Sequence, residues 1–451
     1  MNAGTRTWPL WLASIGAALL YAWWFYPGVL SFDAAYAWWQ VRGGETSNLQ
    51  APMMMRVWQA CNALLPGPGL LFLLHLAMFW SGLALIATTL RRGTATRIAF
   101  LLIAAGAPVP FVLFSHIWTD VALMAALTLA FGALLRLRDG GRGGWWLPAG
   151  LALFYASGVR LNALPAVVPF ILFAAHLLAK RRYGNAGHNG ARGHFSRVAV
   201  IAIGILLSLG IAVAIVNQRV ERHVALMPTL QMCDLAAMSA TTGKLLLPAF
   251  ALRRGSDVDF FRRAKTPWGC LPMLAGTREP SSARWTVAER RALTRAWLAA
   301  IVRHPLAYLR HRVDLTRALL GSRAPDWPYQ LVFVDANVRY RDNPPVNANH
   351  SAPHAFWMRL FHAAWDTIWL SAWPYLLLAA GVLAGACRRR RASAGSGLAV
   401  VVGTSGLLYA LPYFFVAASA ELRYVGWTCL AAVLAAGILV LGRAPNENTD
   451  W

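Results

Sequence analysis

Charged residues are scarce: Asp, Glu, Lys and Arg make up 13% of the 451 residues, against 58% hydrophobic. With a mean hydropathy of +0.47, that scarcity excludes a soluble domain and implies an all-α polytopic membrane protein. Acid is scarcer still, 18 Asp and Glu against 42 Lys and Arg, and the first acidic residue is Asp33. In a soluble chain such a basic excess would suggest nucleic acid. Here the basic residues fall in short runs between apolar segments, the pattern of membrane topology, so no nucleic-acid partner is expected. The five cysteines (Cys61, Cys233, Cys270, Cys387 and Cys429) have no C-x-x-C or metal-ligand spacing. No small-residue cleavage pattern follows the first apolar run, which is therefore expected to stay as a signal anchor. No internal repeat or low-complexity tract stands out.

What is there is apolar length. Segments at about 8–26, 67–90, 98–118, 120–136, 145–158, 163–179, 198–217, 367–387, 397–418 and 428–442 predict about ten transmembrane helices, since about 20 residues cross the hydrocarbon core. The loops orient them. Arg6, Arg91, Arg92, Arg97, Arg136, Arg138, Arg142, Lys180, Arg181, Arg182, Arg192, Arg197, Arg388 to Arg391 and Arg443 put 17 basic residues on one side. The short loops opposite hold four: Arg42, Arg56, Arg160 and Arg423. That asymmetry predicts cytoplasmic termini. The expected modules are 1–217 with about seven helices, 218–365 as a mostly helical extracytoplasmic domain, and 366–451 with about three helices.

The 218–365 segment carries a local excess of +11, which would attract an anionic substrate. Thr286 with Glu289 three residues on predicts a capped helix to Arg303, with Ala288, Leu293, Trp297 and Ile301 along one face; Pro305 to Leu320 predicts another. Arg323 to Trp327 and Asn343 to Asn347 read as ordered loop. Cys233 and Cys270 lie 37 residues apart in this domain, and their spacing leaves a disulfide open. Tyr183 to His194, rich in Gly, His and Asn, reads as a flexible cytoplasmic linker.

The candidate site begins where the first apolar run stops. Pro27-Gly28 cannot continue a helix, and Asp33 follows, with Tyr36, Trp38, Trp39 and Gln40 around it. The first outer loop, 27–66, is expected to be catalytic. His116 and Asp120 sit at the second outer turn, Arg160 and Asn162 at the third, Glu421 and Arg423 at the last. Ionisable groups gathered at one membrane depth mark a functional site, and Asp33, Asp120, Arg160 and Arg423 are expected to converge on one cavity. The plainer reading is a ring of salt bridges tying helix ends together, Asp120 with Arg160 for instance. Glu421 and Arg423, two apart, are too close to face each other on a helix and are expected to serve different partners.

On these residues the chain resembles the GT-C superfamily of integral-membrane glycosyltransferases, and more closely bacterial membrane proteins opening with Pro-Gly-x-x-x-x-Asp, here Pro27, Gly28 and Asp33. Gln40 and Pro52 match a downstream Gln and Pro, and Arg160 to Pro165 an Arg-x-Asn-Ala-Leu-Pro element. His304, Pro305, Tyr308 and His311 match a His-Pro stretch, and Arg423-Tyr424 a C-terminal Arg-Tyr. The resemblance implies an inverting transferase using polyprenyl-phosphate-linked sugar donors, with Asp33 as the acceptor-activating carboxylate and Asp120 as the second acidic residue. Two departures matter. Trp118-Thr119 precede Asp120 where relatives often have Lys, and Ala34-Ala35 follow Asp33 where many members carry a second acid. No cofactor is assigned, and a divalent metal stays open without a clear ligand set.

The chemistry fits independently. Moving a sugar from a lipid phosphate to a hydroxyl needs a base for the acceptor proton and cations for the departing phosphate. A carboxylate at the membrane surface suits the first, and guanidinium suits the second. Asp33 and Asp120 are thus the catalytic candidates, Arg160 and Arg423 the donor-phosphate ligands, and Tyr36, Gln40, His116, Asn162, Glu421 and Tyr424 the substrate-binding residues. The partners expected are the lipid bilayer, a polyprenyl-phosphate sugar donor and a cell-envelope acceptor: glycolipid, polysaccharide or protein. The alternatives are a transporter or flippase for a lipid-linked or anionic solute, or a scaffold subunit without catalysis. Transporters place polar groups near the midplane of repeated halves; this chain clusters them at one face.

Overall fold

The computed structural model describes the chain apart from residues 1–6, 91, 161, 185–189, 280–284, 324–326, 348, 389–393 and 443–451. Arg6, Arg91, Arg389 to Arg391 and Arg443 therefore lie outside the described residues, as do Ala324 to Asp326 of one expected loop. Twenty α-helices are described. In the first half they are α1 Trp8–Phe25, α2 Phe32–Val41, α3 Pro52–Leu64, α4 Gly69–Thr89, α5 Thr94–Ala105, α6 Pro108–Leu113, α7 Thr119–Arg138, α8 Trp146–Val159, α9 Leu164–Tyr183 and α10 Gly190–Gln218. Then come α11 Met227–Thr242, α12 Val258–Ala264, α13 Leu271–Leu274, α14 Val287–Arg303, α15 Pro305–Leu320 and α16 Ala352–Ala364. The chain closes with α17 Trp373–Arg388, α18 Ala394–Ala410, α19 Tyr413–Val416 and α20 Gly426–Leu441. Among the described residues β-structure is limited to isolated bridges.

Among the described residues seven stretches are long and apolar enough to cross a membrane: α1, α4, α7, α9, α10, α18 with α19, and α20 with the turn before it. The chain is a multi-pass, all-helical membrane protein. The other three expected spans are shorter helices: α5 and α17, both apolar, and the 14-residue α8. The expected segment 98–118 is broken. α5 ends at Ala105, Ala107 is extended, and Pro108 and Pro110 open the six-residue α6, because a proline supplies no amide to the preceding turn and pushes the residue before it out of helical geometry. Pro412 divides 397–418 in the same way. The expected linker to His194 is shorter than it reads. α10 begins at Gly190, and His194 bonds His176 on α9 at 3.1 Å; residues 185–189 are outside the described residues.

α7 runs through the middle, nearly all of it buried, and packs on α4, α8 and α20. The α4–α7 approach is close because Gly82 faces the Thr128 and Leu129 backbone. A Cβ at Gly82 would stand 2.6 Å from the Leu129 nitrogen, so only a small residue lets these helices meet. α10, by contrast, turns most of its surface outward, as a lipid-facing helix would.

The segment between α10 and α17 has its own small core around Met232, Leu235, Phe261, Met273 and Leu293. Thr286 and Glu289 form the expected capping box on α14. Cys233 and Cys270, left open by the sequence, form a disulfide. From Leu315 onward the segment joins the main core instead, through Leu319, Trp327, Phe333 and Phe361.

Candidate functional site

Three backbone features bring distant residues to one end of the helix bundle. The first is the exit from α1. Gly28 has φ +91°, where any side chain would be strained, and a Cβ there would meet Ile117 and Phe72 at 2.9 Å. Leaving that turn, the Val29 amide donates to Ser115 and the Ile117 amide donates back to Val29, at 2.9 and 3.0 Å. This pairing sets the start of α2 beside the start of α7, and with them Asp33 beside Asp120. The second feature is the cap of α2. Ser31 Oγ accepts from the Ala34 amide and from Trp118 Nε1, the latter at 2.7 Å. Asp33 thereby stands in the first helical turn, where the dipole favours a carboxylate. The third is an extended strap. The Cys270 amide donates to Ala418 at 3.1 Å and the Ala420 amide to Trp268 at 2.7 Å, while Arg312 Nη1 donates to the Ala417 carbonyl at 2.7 Å. The inserted segment thus holds the stretch that carries Glu421 and Arg423.

The result is one connected ion-pair cluster. Arg423 Nη2 meets Asp33 Oδ2 at 2.5 Å and its Nε meets Glu421 Oε2 at 2.5 Å, with Asp120 Oδ2 4.0 Å away. Arg160 Nη2 meets Asp120 Oδ1 at 3.2 Å and donates to the Tyr413 hydroxyl at 2.6 Å; its Nη1 donates to Thr119. Tyr409 donates to Asp120 Oδ1 at 3.2 Å, and Tyr424 and Ser419 donate to Glu421. The Arg423 guanidinium lies over Trp118 and Tyr424, and that of Arg160 over Tyr424. Three carboxylates face two guanidiniums. Asp33 is the open member, its side chain 37% exposed against 1% for Asp120 and 10% for Arg423. Burial alone would push the Asp33 carboxyl up, but the Arg423 guanidinium beside it holds it below the usual carboxylate value, helped by Arg160 and a hydrogen bond from Gln50. Gln50, Thr119, Arg160 and Asn162 line an adjoining cavity of about 470 Å³.

Asp33, Asp120, Arg160, Arg423, Glu421 and Tyr424 are thus gathered in one place, and Asn162 borders the cavity. Three expected substrate residues are elsewhere. Gln40 is fully buried, its Oε1 accepting from the Ser47 amide at 2.6 Å. His116 is 1% exposed, stacked on Trp118; Val334 N–H donates to its Nε2 at 2.8 Å, and burial pushes the imidazole down to about 4. Tyr36 bonds Ser47 and packs with Trp39 and Tyr340. Gln40 and His116 are buried and brace the loops from inside. Glu421 and Arg423 are also not on separate partners. Glu421 has extended backbone before a 3-10 turn, and without helical geometry residues two apart can meet. Sequence reasoning missed Tyr409, Tyr413, Gln50 and Ser419, and treated Trp118 and Thr119 as mere departures. The four-residue spacing of Tyr409 and Tyr413 was the available signal. Among the described residues no group of three His, Cys, Asp or Glu side chains could hold a metal.

Fold and site together define a many-helix membrane protein with a half-open, arginine-bridged carboxylate cluster at the ends of its helices. No family model matches the sequence, and no curated protein matches it. Among solved structures the chain is similar to the crystal structure of ArnT from Cupriavidus metallidurans bound to undecaprenyl phosphate, at 15% identity. The alignment covers 95% of this chain and 77% of that one, with a TM-score of 0.33. A likeness that loose carries no argument about residues, and the functional reading rests on the geometry above.

Proposed function

We propose that this chain is a membrane glycosyltransferase that moves a sugar from a polyprenyl-phosphate-linked donor to a hydroxyl of a cell-envelope acceptor. The observation that carries it is the cluster itself: a half-open carboxylate, Asp33, held by the Arg423 guanidinium and hydrogen-bonded by Gln50, which lines the adjoining cavity. Because carboxylates outnumber guanidiniums there, a donor phosphate reaches Arg423 by displacing Asp33 from it. The guanidinium fork matches phosphate as well as carboxylate. Released from Arg423, Asp33 regains the basicity that the ion pair suppresses. It then takes the acceptor hydroxyl proton as the new bond to the anomeric carbon forms. The bond to the phosphate oxygen breaks with its electron pair leaving on phosphate, stabilised by Arg423 and Arg160, and the anomeric centre inverts. Glu421 stays on Arg423 Nε and keeps the guanidinium in place. The basic-residue asymmetry supports cytoplasmic termini and a site facing the periplasm or cell exterior of a bacterial inner membrane.

The test is reconstitution of the full chain with radiolabelled undecaprenyl-phosphate sugars and membrane extract. Label should pass to an acceptor, and fail to pass with Asp33→Asn. Transbilayer movement of the labelled lipid without any glycosidic product would overturn the reading in favour of a transporter.

A further inference from the structure

We infer that the cavity beside the ion-pair cluster takes an uncharged, hydroxyl-rich sugar in place of an amino sugar or a uronic acid. This deepens the transferase reading and borrows from it only the lipid carrier. The cavity, about 470 Å³, falls within the usual size of small-molecule sites, about 300–1,000 Å³. It lies between the loop before α3, the end of α8 and the end of α10. Among the described residues no Asp or Glu lines it. Among the described lining residues its one guanidinium, Arg160, is paired with Asp120 and bonded to Tyr413 through Nη2, with only its Nε unpartnered, and His223 adds an imidazole at the wall. Among the cavity's own lining residues an ammonium group on the sugar would find no counter-ion, and a carboxylate would find only Arg160 Nε unspent, the rest of that guanidinium being held by Asp120, Tyr413 and Thr119; both are costly away from water.

The neutral groups point the same way. Asn162 Nδ2 and Asn217 Oδ1 are buried, without hydrogen-bond partners, and belong to residues lining this cavity. One is a donor and the other an acceptor. A hydroxyl donates and accepts at once, so a polyol satisfies both. Gln218 adds an amide of both kinds at the same wall. Asn48 is different: its amide is spent on the Val224 backbone, donating at 3.1 Å and accepting at 2.6 Å, and serves as framework.

The experiment uses the full chain in nanodiscs with four probes: bare undecaprenyl phosphate, and the same lipid phosphate carrying a neutral hexose, an amino sugar or a hexuronate. Binding and label transfer are measured separately. The hexose form should bind about tenfold or more tightly than either charged form and more tightly than the bare lipid. Asn217→Leu should weaken the hexose form about three- to tenfold, the effect of one neutral hydrogen bond, with the bare lipid unchanged. Equal affinity for all four probes, or preference for a charged sugar, would overturn the inference even with the unmodified chain. Efficient transfer of a charged sugar would do so while leaving the transferase reading intact. Selective hexose binding with no transfer to any acceptor would leave the inference standing and remove the transferase reading.

Discussion

Two buried guanidinium–carboxylate clusters in this chain differ in one respect that decides what each can do. In the inserted segment, Asp234 meets Arg312 Nη2 at 2.5 Å, both side chains fully buried, and Trp297 Nε1 donates to the other carboxylate oxygen at 2.8 Å. Arg312 also donates to Ala417 and lies over Tyr308. One cation meets one anion, and water has no access. At the helix ends, three carboxylates share two guanidiniums and the Asp33 side chain is partly exposed. The sealed pair holds shape, because moving either partner would strand a charge. The open cluster can exchange Asp33 for an incoming anion without exposing an unpaired cation. Identical chemistry thus becomes a strut or a site according to stoichiometry and solvent access.

The comparison breaks most visibly at Arg312. Arg312→Met should cost about 3–5 kcal/mol, because Asp234 is left buried and unpaired, whereas adding Asp234→Asn should recover most of that. Thermal melts in detergent would measure both. If the single change leaves melting unaltered, the pair is no strut.

Acid should act on the struts before the site. His116 and His311 are held neutral by burial, at about 4 and about 3 against 6.5 in the unfolded chain. Above pH 6.5 both states are neutral and stability is complete. As pH falls below that, the unfolded chain gains protons that the folded chain refuses, at about 1.4 kcal/mol per unit and group, reaching about 3 kcal/mol for His116 by pH 4. Asp33 is held below the usual carboxylate value by the Arg423 guanidinium beside it, so it is not the group that titrates as pH falls from 6.5 toward 4. His116→Gln should therefore flatten the pH dependence of melting without moving the pH dependence of donor binding.

Reducing the Cys233–Cys270 bridge, which adjoins the strap carrying Glu421, should remove about 2–4 kcal/mol. The loss should appear first as faster exchange of the Ala418–Ala420 amides, measured by deuterium uptake. At the small end, Thr286→Ala should cost about 1 kcal/mol by removing one side of the capping box. It should leave transfer untouched; slower transfer would mean that α14 couples to the site.

The site was partly legible in the sequence because Asp33, Asp120, Arg160 and Arg423 are rare charges at the ends of apolar runs, where composition makes each conspicuous. The Asp120–Arg160 pair was named from the sequence and is present, but the pairing of Asp33 with Arg423 was not legible, because it depends on the Val29–Ile117 and Ala418–Cys270 backbone contacts, which join residues far apart in the chain. Gln40 and His116 look like ligands beside aromatic residues; that they point inward is a property of packing and leaves no mark in local spacing. Glu421 and Arg423 misled for the opposite reason, since helical periodicity was assumed for a stretch that is extended. The break in 98–118 was in plain view at Pro108 and Pro110. The capping box was read correctly because its geometry is wholly local.

The most direct test is Asp33→Asn in nanodiscs, with donor binding, sugar transfer and melting measured on one preparation. The account predicts melting like the unmodified chain and donor binding that is undiminished or tighter, since Arg423 no longer has to release a carboxylate. Transfer should fall by about 10²–10⁴-fold, as when a general base is removed. A well-folded Asp33→Asn chain that transfers sugar at the unmodified rate would contradict it.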